Sequence, residues 1–384
     1  MSKVRVGLWL AVALMMIFSA RLSHAQDYLS ATGTPTFGMN IPVENGFINI
    51  SNGDLHMEFT LASHKQRGTL QLNERLVYDS RIWKIVHNGS YYWQPTNVFN
   101  SNAGWRFFSG IEQGLQTSDT VDKDIPCDSN SPGAYTYWGH TTMSWTDPAG
   151  TQHTFDAGWT TISSDCTYPN KQETTSGYAT DGSGYSIQAS GTNDSPPSTF
   201  TICDSQGNVV DSQGAARIVD RFGNYWSQDA TGNLVDDLGR TPVVATTNGN
   251  VTYYDVLIAG GGRARYTATY AQIPIHTNFA QSAVNEWSGT LNALQSLQLP
   301  DGSAYRFTYD TAYGELISVT LPTGGTVSYQ WNTFQDSFQN KNQWISSHQT
   351  GQNPATTFTQ LSGTEMFVSL KKVPPCAASA YIPY

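Results

Sequence analysis

The chain has 384 residues, 39% hydrophobic and 12% aromatic, enough for one large core or two moderate ones. Charged residues are only 13%, about half the ordinary share, and that scarcity beside so many aromatics excludes a disordered acidic chain. A net charge of −10 excludes a nucleic-acid binder that relies on a basic face.

Residues 1–25 have the pattern of a secretory signal. Lys3 and Arg5 are basic, Val6 to Ala20 is apolar, and Ser23 and Ala25 supply the small side chains that predict cleavage after Ala25. The apolar run is short for a span of about 20 residues, and no later stretch is long and apolar enough to cross a bilayer. Loss of Lys3, Arg5 and Arg21 leaves 17 basic and 30 acidic residues, a net −13. Secretion, a periplasmic home or the cell surface is therefore expected. An oxidising compartment permits disulfides among Cys127, Cys166, Cys203 and Cys376. Their spacing leaves the pairing open, and buried thiols are the alternative.

An extended lead-in, 26–45, is followed by a first β region, 46–211. Leu55, Met57, Phe59 and Leu61 alternate with His56, Glu58 and Thr60, which predicts a strand with an apolar and a solvent face. Asn88-Gly89 predicts a two-residue hairpin turn. Trp83, Trp93, Trp105, Trp138, Trp145 and Trp159 crowd this region. They either fill the space between two sheets or offer flat faces to sugar rings. Asp147-Pro-Ala-Gly150 has turn composition.

Residues 212–335 carry repeats. Leu299-Pro-Asp-Gly302 recurs as Leu321-Pro-Thr-Gly324, an offset of 22 that also maps Leu297 onto Val319 and Phe307 onto Tyr329. Tyr305–Tyr309, Ile317–Leu321 and Val327–Trp331 alternate in polarity and are expected to be neighbouring antiparallel strands, with Ile317, Val319 and Leu321 on one face. Asp204-Ser-Gln-Gly207, Asp220-Arg-Phe-Gly223 and Asp229-Ala-Thr-Gly232 share one order, in which aspartate bonds into the turn and glycine takes positive φ. Ala280 to Leu297 is a poor helical candidate. After these repeats comes an irregular tail, 336–384, and the strand near Trp331 is expected either to be covered by it or to associate by its edge. The fold class is all-β: antiparallel hairpin repeats forming an extended curved sheet, with a sandwich-like N-terminal region.

Tyr309-Asp310, together with Asp310-x-x-x-Gly314-x-Leu316-x-x-Val319-x-x-Pro322-x-Gly324, resembles one unit of the Rhs/YD-repeat proteins. Gly46-Phe-Ile-Asn-Ile-Ser-Asn-Gly53-Asp-Leu is similar to an opening segment of that family. The resemblance implies hairpins joined edge to edge, which in long members wind into a shell around a C-terminal toxin. It also implies a self-cleavage tract, Asp-Pro-x-Gly-Leu, from which Asp147-Pro-Ala-Gly150-Thr151 departs. The expectation is a short or truncated member without toxin or self-cleavage region.

Chemical motifs are sparse. Gly260-Gly-Gly262 lacks the Lys-Ser/Thr of a phosphate loop, and no G-x-S-x-G or H-E-x-x-H occurs. His56 and Glu58 are close enough on one strand face to share a metal, and the Asp122/Asp124 and Asp236/Asp237 pairs have calcium-type oxygens without a complete loop. Eight scattered glutamates single out no pair for glycosidic hydrolysis. No catalytic residue, metal site or cofactor is assigned. The leading expectation is an exported non-enzymatic scaffold or cell-surface interaction protein. A glycan-binding protein using those six tryptophans is the alternative, and a polysaccharide hydrolase ranks third.

Overall fold

The computed structural model describes residues 40–65, 68, 70–96, 102–108, 116–126, 135–147, 151–164, 171–211, 217–335, 341–353 and 355–358. The signal segment, Cys127, Cys166 and Cys376 lie outside these residues, as do the side chains of Asp122, Asp124 and Trp138. Every regular element among the described residues is a strand, and no helix there is long and apolar enough to cross a membrane.

The first strands are β1 (Asn40–Val43), β2 (Gly46–Asn49), β3 (Asp54–Lys65), β4 (Gln71–Asp79), β5 (Trp83–Asn88), β6 (Ser90–Pro95) and β7 (Trp105–Phe108). A five-stranded sheet runs β1-β2-β3-β4-β7, while β5 and β6 form a hairpin. Gly89 turns it at φ 74, and Asn88 stands opposite Ser90, so Gly89 alone separates the two strands instead of the expected two-residue turn. The next four, β8 (Gln116–Pro126), β9 (Tyr135–Thr146), β10 (Gln152–Thr154) and β11 (Thr160–Ser164), form a sheet around β9. Asp147 N–H bonds the Thr151 carbonyl between β9 and β10, while Pro148, Ala149 and Gly150 of the tract expected to turn lie outside the described residues.

Two meanders follow, each with neighbours in chain order. The first is β12 (Gln172–Tyr178), β13 (Ser186–Thr192), β14 (Thr199–Cys203), β15 (Val209–Asp211), β16 (Arg217–Val219), β17 (Tyr225–Gln228) and β18 (Leu234–Asp236). The second has nine strands: β19 (Val243–Asn248), β20 (Val251–Leu257), β21 (Arg263–His276), then β23 (Ser288–Gln298), β24 (Ala304–Tyr309), β25 (Leu316–Thr320), β26 (Thr326–Gln335), β27 (Lys341–Thr350) and β28 (Thr356–Thr357). Short β22 (Val284–Asn285) joins β6 in parallel, so the weak helical stretch from Ala280 is strand instead.

The repeat segments are antiparallel neighbours, with Phe307 opposite Val319 and Val319 opposite Val327. One expected facing is wrong. A bulge at Thr308/Tyr309 sets Leu316 opposite Tyr309, so Leu316 is buried and Ile317, 37% exposed, turns outward. The tail, expected to be irregular, contributes a regular strand: β27 pairs with β26 from Val327 to Gln335, so the tail covers the edge near Trp331, the first of the two expected outcomes.

Four turns, opening at Asp204, Asp220, Asp229 and Asp236, are one device. In each, the aspartate N–H bonds the carbonyl four residues on and the glycine N–H bonds the aspartate carbonyl. Oδ1 then accepts the amides two and four residues ahead. Leu299–Ser303 and Leu321–Gly325 repeat the backbone bonds without the carboxylate. This is a type I turn with a left-handed glycine, whose twist suits a hairpin. Asp236, considered above as a calcium ligand, spends Oδ1 on the turn and Oδ2 on Arg240. Because Gly324 sits at φ 85 with open space around it, Gly324→Ala should cost about 1 kcal/mol through backbone strain alone. Gly158→Ala, equally open but without positive φ, should stay within about 0.5 kcal/mol by denaturant titration.

Burial follows the alternation. Ile48, Leu55, Met57, Phe59, Leu76 and Trp105 of the five-stranded sheet pack against Val256, Ala268, Leu297, Phe307, Val319 and Val327 of the nine-stranded sheet. The first and last parts of the chain thus share one core, which a division at 211/212 would separate. A second core joins Met143, Trp145 and Trp159 to Ile187 and Ile202. Leu70 and Leu72 meet Trp226 and Leu234 between them. Cys203 is disulfide-bonded, to a partner outside the described residues.

Candidate functional site

Trp83, Trp93, Trp105, Trp145 and Trp159 are no more than 2% exposed. Their indoles are core pieces: Trp83, Trp105 and Trp159 donate inward to the Tyr313 carbonyl, Tyr309 Oη and the Ser195 carbonyl. A face packed in a core cannot stack on a sugar, so the tryptophan glycan surface is not formed by these five. Trp138 stands on β9 opposite Ile162, with its side chain outside those described.

The supposed solvent face of β3 is also covered. His56 is fully buried, with Phe47 stacked on its ring at 4.8 Å. Register sets His56 opposite Asp79, and β7 brings Arg106 alongside. His56 Nδ1 lies 2.7 Å from Asp79 Oδ1, and Nε2 lies 3.1 Å from Glu58 Oε1. Arg106 Nη1 reaches Asp79 Oδ2 at 2.7 Å, and Arg75 Nε lies 3.2 Å from Glu58. Burial alone would push His56 down, but the charge and hydrogen bond of Asp79, with those of Glu58, raise it to about 9. It is therefore an imidazolium at neutral pH, donating from both nitrogens. With neither lone pair free, it fits neither a general base nor the metal ligand considered above.

Next to it, burial and the charge of Asp79 raise Asp54 to about 7. Asp54 accepts from Ser80 Oγ at 2.8 Å and lies 3.8 Å from Arg81 Nε. Burial lifts Glu315 well above its usual range; Tyr78 donates to it at 3.3 Å. The Tyr309-Asp310 pair anchors this end. Tyr309 Oη accepts from Trp105 and donates to the Leu294 carbonyl, while Asp310 caps the β24–β25 turn.

His153 repeats the histidine arrangement in the second core, 2.6 Å from Asp181 and 3.3 Å from Asp147. Burial opposes its charge, and the two carboxylates overcome it, raising it to about 9. Both histidines thus stabilise the fold fully below their unfolded range near 6.5, and that stabilisation is lost as pH rises through about 9. Glu74, 1% exposed, is raised by burial to about 8, so deprotonation adds a cost in the same direction. Thermal stability should fall from pH 6.5 to 9.5. Glu74→Gln should remove part of that fall, and a slope unchanged in this variant would refute the assignment.

An open cleft of about 320 Å³ lies where β7 meets the inner face of the nine-stranded sheet. Asn102, Phe107, Thr247, Thr252, Tyr270 and Asn292 line it, and Phe107 stacks on Tyr254 at 4.8 Å. No carboxylate is among its described lining residues, so a pair of acids for glycosidic hydrolysis is not assembled there. Sequence reasoning missed both the cleft and the buried network. Asp79, Arg106 and Glu315 carry no local signal, because their partners are set by strand register across long loops.

No family model and no curated protein matches this chain. Among solved structures, a porin-like protein from Bacteroides uniformis ATCC 8492 is similar over 64% of this chain and 96% of its own, at 11% identity and a TM-score of 0.21. A superposition that loose carries no inference about fold or function.

Proposed function

We propose that this protein is an exported, non-enzymatic β-hairpin scaffold that acts as an interaction module, as its resemblance to the Rhs/YD-repeat proteins implies. The observation that supports this reading best is where the perturbed titratable groups point. His56 and His153 are each held between two carboxylates, and Asp54, Glu74 and Glu315 are buried at 0–1% exposure. Such groups hold sheets together; reaching a substrate would require the core to open. The cleft at the sheet edge, with Arg106 the one charged residue of its described lining, is by contrast open to solvent.

Two measurements test the reading. Expressed from its first residue in a secreting host, the protein should be recovered outside the cytoplasm with Gln26 at its N-terminus. Incubation of that mature protein with soluble polysaccharides should release no new reducing ends above a heat-denatured control. Cytoplasmic retention would overturn the export half, and repeated turnover would overturn the non-enzymatic half.

A further inference from the structure

We infer that the cleft between β7 and the inner face of the nine-stranded sheet is a binding site for a neutral, hydroxyl-rich ligand of roughly one or two sugar rings. The inference stands on the cleft alone and does not depend on export or on the scaffold reading.

The lining sets the ligand's charge. Arg106 is the one charged residue among the described lining, and its guanidinium is held by Asp79 on the other face of β7, 2% exposed. What faces the cleft is amide, hydroxyl and aromatic: Asn102 and Asn292, Thr247 and Thr252, Phe107 and Tyr270. An ionised ligand would lose hydration here without meeting an opposite charge. Amides and hydroxyls each donate and accept, which matches sugar hydroxyls that do both. Thr247 Oγ1 and Thr252 Oγ1 stand 3.0 Å apart across β19 and β20, so one ligand group can meet both.

Strand geometry adds a second contact. The Asp79 N–H bonds the Gly104 carbonyl, so the Asp79–Gly104 pair is a hydrogen-bonded one and Phe107, opposite Leu76, belongs to the alternate set. Its N–H and C=O therefore point away from β4. Those of Trp105, the equivalent residue two positions earlier, bond Asn102. Among the described residues β7 is the sheet edge, so no described strand takes up the Phe107 peptide groups, and Phe107 itself lines the cleft. The half-buried Phe107 ring, stacked on Tyr254, sets an aromatic surface beside them. Peptide dipoles flanking an aromatic face suit a ring with an apolar side and a polar rim. A longer extended peptide fits less well, because the volume is at the low end for ligand pockets, about 300–1,000 Å³.

Isothermal titration of the full chain with cellobiose, maltose, lactose and di-N-acetylchitobiose tests this. Di-galacturonate serves as the charged probe and a capped Thr-Asn-Thr peptide as the extended-backbone probe. At least one neutral disaccharide should bind saturably. Asn292→Ala and Thr252→Val should each weaken it by about tenfold, whereas Phe222→Ala, an exposed aromatic (65%) on a distant turn, should leave it unchanged. Phe107→Leu, which keeps the core filled, should weaken it more than either. Circular dichroism confirms that each variant is folded. The inference is overturned if no neutral disaccharide binds, if the acidic sugar or the peptide binds more tightly, or if binding survives both Asn292→Ala and Thr252→Val in folded protein.

Discussion

Asp79→Asn should destabilise the protein by about 3–5 kcal/mol, the usual cost of stranding a buried charge. Asp79 is 2% exposed and receives both His56, at 2.7 Å, and Arg106, at 2.7 Å. The amide preserves its shape but withdraws the negative charge, leaving an imidazolium and a guanidinium facing each other in the core. The raised value of His56 rests first on Asp79 among the favourable influences, so in the variant His56 should lose its proton nearer neutrality. Glu58→Gln makes the contrast. Glu58 keeps a third of its side chain in solvent, and its loss should cost about 1 kcal/mol or less. Denaturant titration of both variants at pH 6 and pH 9 separates the cases. Equal effects would show that the network is not the buried centre described here.

Phe307→Ala should cost about 3–5 kcal/mol, in the range for emptying a packed aromatic site. Phe307 is 1% exposed and sits within 6 Å, centroid to centroid, of both Phe59 and Trp105 across the sandwich. Because those partners come from β3 and β7, the lost contacts belong to both sheets at once. Ile317→Ala, on the neighbouring strand β25 but facing outward, should change stability by about 0.5 kcal/mol at most. Unfolding followed by Trp fluorescence and by far-UV dichroism should shift together in Phe307→Ala. A transition that split, with the nine-stranded sheet surviving alone, would contradict a core shared between the two ends of the chain.

Much of the architecture is legible in the amino-acid sequence. The turns at Asp204, Asp220 and Asp229 and the hairpins at Leu299 and Leu321 were readable because each is a local device. An aspartate or leucine, a glycine at positive φ and the intervening amides settle the corner within five residues. Alternation likewise placed Leu55, Met57 and Phe59 inside. It failed at Ile317, where a bulge changes the count by one and period-two reasoning cannot see an extra residue.

The site was not legible in this way. Alternation puts His56 on the face opposite Leu55, yet whether that face is wet depends on what a different strand lays over it. Asp79 and Arg106 reach His56 only because β4 and β7 pair in one particular register. The cleft needs residues from Asn102 to Asn292 brought to one place. The amino-acid sequence by itself determined an all-β chain, its meander order and its turn chemistry, since these arise from neighbours along the backbone. Only the tertiary structure decided that the two ends share a core, that His56 is a buried cation and that a cleft lined by amides, hydroxyls and aromatic rings opens at the β7 edge. Those outcomes depend on desolvation and on charges meeting across long loops, and neither is encoded within any single segment.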